Sequence, residues 1–143
     1  MVRILVVEDS SAMRSYIRAA LEEAPPDSSD APLPSELEIV EAASGFDALR
    51  LLPRGSYGLV ITDINMPDIN GLELIKFVRD SEHLRSVPVL IVSTQSGERD
   101  RERGLALGAN RFLAKPFTPE ALRDAVSKSL ASPRGAARSG GDG

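Results

Sequence analysis

Leu59-Val60-Ile61-Thr62-Asp63-Ile64-Asn65-Met66-Pro67-Asp68 is an apolar run that stops on a carboxylate and turns at once. β-Branched and aliphatic residues bounded by turn chemistry predict a buried strand, with Asp63 at its carboxyl end on the rim of a sheet. Open α/β sheets bind ligands at that rim. Asp also follows strands simply as a turn former, so the other strand ends decide what Asp63 is for.

The flanking sequence repeats the pattern. Val2-Arg3-Ile4-Leu5-Val6-Val7 is almost continuously apolar and ends on Glu8-Asp9, as a central parallel strand buried on both faces would. Ser10 and Ser11 can cap a helix in which Met13, Ile17, Ala20 and Leu21 recur at helical spacing. Residues 24–36, with Pro25, Pro26, Pro32 and Pro34, read as a long extended surface loop. Leu37 to Ala42 partly alternates like an outer strand. Ser44-Gly45 then opens a short helix with Ala48, Leu49 and Leu52, closed by Gly55.

Beyond Asp63, the loop Met66 to Gly71 precedes a helix with Leu72, Ile75 and Val78 inward, and Val87 to Val92 is a fourth strand ending on Ser93-Thr94. Gly97 to Leu107 predicts a marginal, solvated helix whose apolar residues come only at Leu105 and Leu107, weakened further by Gly104. Arg111-Phe112-Leu113-Ala114 is a fifth strand ending on Lys115-Pro116. Thr118-Pro119-Glu120 starts a last helix with Leu122, Val126 and Leu130 in its stripe. Residues 132–143 hold no core former and are expected to be a disordered tail, leaving one domain over 1–131. Strands alternating with helices predict a doubly wound α/β fold, a parallel sheet covered on both faces.

Composition excludes several functions. The net charge of −4 carries no broad basic field for nucleic acid. The absence of Cys excludes a disulfide framework and a thiolate zinc site, and the one histidine, His83, lies in a polar run and reads as a surface residue. With no signal sequence and no apolar run near the ~20 residues that span a bilayer, a cytoplasmic protein without membrane insertion is expected.

In a parallel sheet the strand ends share one edge, so Glu8, Asp9, Asp63, Ser93, Thr94 and Lys115 face one crevice. Bringing carboxylates together costs free energy unless something compensates. Mg²⁺ is the natural candidate, since it prefers oxygen ligands and commonly uses one or two carboxylates, waters and a phosphate. In such an assembly one carboxylate, Asp63, can attack phosphorus, with Lys115 and Ser93 set to stabilise the phosphoryl oxygens.

Four segments in order, Ile4 to Ser10, Val60 to Pro67, Pro88 to Thr94, and Lys115-Pro116-Phe117, closely resemble those of response-regulator receiver domains, especially the stand-alone, chemotaxis-type CheY-like group. The resemblance covers Val2 to about Leu130. It implies a flavodoxin-like three-layer sandwich of five parallel strands in the order 2-1-3-4-5. It also implies a phosphoprotein of a two-component phosphorelay, not an enzyme acting on other molecules, in which Asp63 becomes an aspartyl phosphate. The donor would be a sensor histidine kinase or phosphotransfer protein. Asp9 would ligate Mg²⁺, Glu8 would hold it through water, and Asn65 would offer its backbone carbonyl. Lys115 would contact the phosphate after a cis Lys115-Pro116 bond. Ser93 takes the switch position and Phe112 its aromatic partner position, where ordinary core is an equally good reading. Output would be partner binding through the face made by helix four, strand five and helix five, with no output domain after Leu130. Chemotaxis or motility control and a phosphorelay intermediate both fit.

Several positions depart from the family pattern. Phe112 lacks the hydroxyl of the more typical Tyr. Thr94 stands where a small residue is commoner and would narrow access to Asp63, while Asn65 and Gln95 occupy the positions that tune dephosphorylation. Two rivals remain: a pseudo-receiver binding module that is never phosphorylated, and an aspartate-nucleophile phosphohydrolase of the haloacid-dehalogenase type. The latter family places a second acid two residues after its nucleophile, where this chain has Asn65.

Overall fold

The computed structural model describes residues 1–23, 33–34, 36–94 and 98–131. Its elements alternate: β1 (Val2–Val7), α1 (Ser11–Glu22), β2 (Leu37–Ala42), α2 (Gly45–Leu51) running into a 3₁₀ turn (Leu52–Arg54), β3 (Leu59–Thr62), α3 (Gly71–Asp80), β4 (Val89–Ser93), α4 (Glu98–Leu107), β5 (Arg111–Ala114) and α5 (Pro119–Ala131). All strand pairs are parallel, and the sheet order is β2-β1-β3-β4-β5. This is the flavodoxin-like order, with its topological switch beside β1 and β3.

Burial follows from the sheet order. β3 and β4 are buried along their whole length, as is β1 from Ile4 onward, which is why those three segments are continuous apolar runs. The edge strands β2 and β5 are only partly buried. The two-residue period of the strands sorts their side chains into two cores. Leu5, Val7, Val60 and Ile91 pack with Ala48, Leu72, Ile75 and Val78 from α2 and α3. Ile4, Val6, Ile61 and Val92 pack on the other face with Ile17 and Leu21 of α1 and Leu122 and Val126 of α5. Three layers result.

Polar side chains fasten the helices. Ser10 Oγ accepts from Met13 N–H at 3.2 Å at the start of α1, and Thr118 Oγ1 accepts from Ala121 N–H at 3.0 Å before α5. Asn70 and Glu73 form a reciprocal capping box on α3. Buried Arg123 donates from α5 to Ala20 O at 3.2 Å, joining α5 to α1. Arg79, at the end of α3, donates to Gly108 O at 3.0 and 2.7 Å, Val87 O at 2.6 Å, Arg85 O at 3.0 Å and Asn110 Oδ1 at 3.0 Å. One guanidinium thus binds the loop before β4 to the turn after α4.

One expectation is corrected. α4 forms, but Leu105 and Leu107 do not seat it: they are 38% and 36% exposed. The position turned to the sheet is Gly104, where an added Cβ would collide with Ile91 Cδ1 and come within 3.7 Å of Leu72 Cδ2. A residue read as weakening the helix is what lets it lie close. Within the expected 24–36 loop, Leu33 is partly buried against the α1–α5 core. Residues 24–32 and 35, and the 132–143 tail, lie outside the described residues. His83 is exposed.

Gly104→Val is expected to destabilise the chain by about 1–3 kcal/mol through overpacking, read as a lower urea midpoint. An unchanged midpoint would show that α4 does not press on Ile91.

Candidate functional site

The carboxyl ends of β1, β3 and β5 converge on one ammonium. Lys115, the first residue after β5, donates to Glu8 Oε1 at 2.7 Å and to Asp63 Oδ2 at 2.9 Å. The Lys115 and Asp63 side chains are each 10% exposed, and that of Glu8 is 2% exposed. The strands set these positions. Asp63 N–H donates to Val7 O at 3.2 Å, Glu8 N–H to Ala42 O at 3.0 Å and Lys115 N–H to Ser93 O at 2.9 Å, so the sheet's hydrogen bonding extends one residue past the strands into the site. The Lys115-Pro116 peptide is cis.

The loop after Asp63 folds back on itself. Asn65 N–H donates to Asp63 Oδ1 at 3.2 Å, and Gly71 N–H donates to Ile64 O at 2.8 Å. A Cβ on Gly71 would overlap the Asp63 carbonyl, so only glycine lets α3 begin this close to Asp63. Asp68 ties the same loop to α2, accepting from Gly45 N–H at 3.2 Å and Phe46 N–H at 2.9 Å. On the β1 side, Glu8 Oε2 accepts from Ser10 N–H at 3.1 Å, and Glu8 O accepts from Arg14 Nη1 at 2.7 Å.

Glu8, Asp9 and Asp63 each present a carboxylate oxygen, all within 4.8 Å of one another. Burial raises the Glu8 pKa, against the lowering effect of its hydrogen bond from Lys115; the nearby Asp63 charge raises it further. For Lys115, burial favours the neutral amine, but hydrogen bonds to Glu8 and Asp63 outweigh it and raise its pKa. One ammonium against three carboxylates leaves residual negative charge in a confined space lined by hard oxygen donors. That donor set fits Mg²⁺, with Glu8, Asp9 and Asp63 as the residues able to hold it.

The remaining expected residues divide. Ser93 is fully buried at the end of β4, and Thr94 after it is exposed. Asn65 is exposed at the rim. Phe112 is half-buried: it packs against the α2–α3 core and also lines a groove of ≈ 330 Å³ with Arg101, Leu105 and Asp124. Gln95 lies outside the described residues. Sequence reading did not find Arg14 or Asp68, whose bonds around this site are to backbone groups. The weak signal for Asp68 was an acid between Pro67 and Gly71.

A family model described as "Response regulator receiver domain" matches residues 4–127. The chain belongs to that family. A chemotaxis protein CheY homolog of Campylobacter jejuni is 34% identical over 134 residues, covering 93% of this chain and 95% of that protein. Chemotaxis protein CheY1 of Helicobacter pylori is 34% identical over 123 residues, covering 85% and 91%. Among solved structures, the chemotaxis response regulator CheY4 of Vibrio cholerae superposes with a TM-score of 0.78 at 29% identity, covering 90% of this chain and 98% of that one. A putative response regulator of Chloroflexus aurantiacus gives a TM-score of 0.79 at 29% identity, covering 90% and 97%. The receiver domain is therefore of the CheY type. Among the described residues no helix is long and apolar enough to cross a membrane.

Asp68 offers a test by pH. Hydrogen bonds from the Phe46 N–H and neighbouring amides hold its carboxyl down to about 2, below the ordinary 3.8. The unfolded chain therefore takes up this proton first as pH falls, so the contribution of Asp68 to stability is present above the ordinary value and lost on descending to about 2. Asp68→Asn is expected to melt below the parent at neutral pH, with the gap closing as pH approaches that lower value. A gap independent of pH would remove the ionised cap.

Proposed function

We propose that this receiver domain accepts a phosphoryl group on Asp63 from a sensor histidine kinase or a phosphotransfer protein, and signals by binding a partner in the phosphorylated state. The observation that carries the reading is the Lys115 ammonium at 2.9 Å from Asp63 Oδ2 in a cluster with a surplus of carboxylates. The surplus of carboxylates around one ammonium is unfavourable on its own, because the negative charge it leaves unpaired is partly withdrawn from water. It gains a purpose if a cation and a phosphoryl group complete it.

In the transfer, a carboxylate oxygen of Asp63 forms a bond to phosphorus as the phosphorus–nitrogen bond of the donor's phosphohistidine breaks, the imidazole nitrogen keeping the electron pair. Glu8, Asp9, Asp63 and the Asn65 carbonyl would hold Mg²⁺, which when bound neutralises charge on the transferring oxygens. Lys115 exchanges its contact with Asp63 for a phosphoryl oxygen, keeping its hold on Glu8. Ser93 donates its hydroxyl to another phosphoryl oxygen, and the phosphorylated state favours the packing in which Phe112 turns inward. The output face is the groove between α4, β5 and α5, which half-buried Phe112 lines. Chemotaxis or motility control accords with the named functions of the relatives.

The test is incubation of the full chain with Mg²⁺ and a phosphorylated kinase or a small acyl-phosphate donor, followed by intact mass. The expected result is one added phosphoryl group, absent in Asp63→Ala. No addition from any donor would make the protein a pseudo-receiver, and rapid turnover of an external phosphomonoester would make it a phosphohydrolase. Exposed Thr94 narrows the approach to Asp63 in this reading. Thr94→Ala is expected to shorten the phosphoryl lifetime several-fold by the same mass assay, and an unchanged lifetime would relieve Thr94 of a tuning role.

A further inference from the structure

Every polar group of Glu8 is engaged. Its N–H binds Ala42 O at 3.0 Å, its carboxylate takes Lys115 at 2.7 Å and Ser10 N–H at 3.1 Å, and its carbonyl takes Arg14 Nη1 at 2.7 Å. Its neighbour Asp9 is the opposite: exposed, with no hydrogen bond or ion pair among the described residues, though its carboxylate belongs to the acidic cluster. Asp9 therefore depends for its placement on the backbone before it. The peptide unit is planar and stiff, so holding the Glu8 carbonyl also holds the nitrogen and Cα of Asp9.

Arg14 is itself held. Its Nε donates to Glu41 Oε1 at 3.0 Å, and the second oxygen of Glu41 accepts from Arg18 Nε at 2.6 Å. Arg18 is anchored in turn on Ile39 O at 3.1 Å and Glu22 Oε2 at 2.9 Å. The hydrogen bond from Arg18, helped by that from Arg14, keeps the Glu41 carboxyl below the usual range despite partial burial. The Arg14 side chain is 17% exposed. A planar fork with one edge on Glu41 and another donor on a carbonyl has a fixed orientation, which a single flexible ammonium cannot reproduce.

We infer that Arg14 is a positioning residue for the cation site, setting Asp9 through the carbonyl of Glu8 from a support on the edge strand β2. The inference rests on the Mg²⁺ reading proposed above. Mg²⁺ demands near-ideal octahedral geometry, so a displaced Asp9 costs affinity, and groups that orient metal ligands typically carry about 10–100-fold in affinity. The sign of the effect separates this role from simple electrostatics. Arg14 is a cation near a cation site, so through-space repulsion alone predicts tighter Mg²⁺ binding when it is removed. Positioning predicts weaker binding.

The experiment is calorimetric titration of the full chain with MgCl₂ for the parent, Arg14→Met, Arg14→Lys and Asp9→Ala, with urea midpoints measured alongside. Arg14→Met is expected to raise the Mg²⁺ Kd about tenfold. Arg14→Lys should raise it several-fold although the charge is kept, and it decides the matter if Arg14→Met does not fold. Lower urea midpoints with unchanged Kd would reduce Arg14 to a structural brace, and tighter binding would make it a source of repulsion; either overturns the inference. If the parent binds Mg²⁺ and Asp9→Ala does not, while both Arg14 variants match the parent, the cation site stands and only the role of Arg14 falls. Failure of the parent to bind Mg²⁺ would remove the site and the inference together.

Discussion

The ammonium of Lys115, shared between Glu8 and Asp63, is the contact on which the sheet edge depends. Taking two carboxylates out of water is expensive, and one lysine offsets that cost only with short, well-aligned bonds. The parallel sheet supplies the alignment. β1 and β3 end level, with Val7 beside Thr62, while β4 and β5 run two residues further; a backbone bond beyond each of β1, β3 and β5 carries the chain into the cluster. A slip of one residue in β3 would turn Asp63 to the opposite face and strand both Lys115 and Glu8. Register and charge pairing therefore enforce one another.

The loops around this edge are held by side chains that bind backbone. Asp68 joins the β3–α3 loop to the start of α2, Arg14 secures the end of β1, and the capping box of α3 fixes the return of the chain. The far ends of the strands have an equivalent in Arg79, which gathers carbonyls from the connections leading into β4 and β5. Most of these bonds are part-buried, and they brace the frame of the sheet without adding apolar bulk to it.

Much of this was legible in the sequence because burial leaves periodic traces. Continuous apolar runs marked β1, β3 and β4, and partial alternation marked β2 as an edge. Glu8, Asp9, Asp63 and Lys115 were legible because polar residues closing apolar runs must meet at one rim of a parallel sheet. Arg14, Asp68 and Arg79 were not, because a side chain that binds backbone carbonyls or amides has partners of any residue type and leaves no pairing pattern. The role of Gly104 was not legible for a different reason. It lets α4 lie close to Ile91, and a missing side chain produces no hydrophobic signal, so the sequence showed only its low helix propensity.

That seat has an energetic consequence. Most surface helices are ballasted by a stripe of apolar side chains, each contributing about 1.5–3 kcal/mol when fully buried. α4 carries almost no such ballast: among its described side chains between Arg99 and Leu107 only the Gly104 position is buried, and glycine has no side chain to withdraw from water. The helix is tethered just past its end, where Arg79 grips Gly108 O, and is otherwise free of the hydrophobic weight that pins its neighbours. Its hold on the sheet is thus steric and polar, set by the close packing of Gly104 on Ile91 and by the Arg79–Gly108 bonds rather than by the withdrawal of apolar side chains from water.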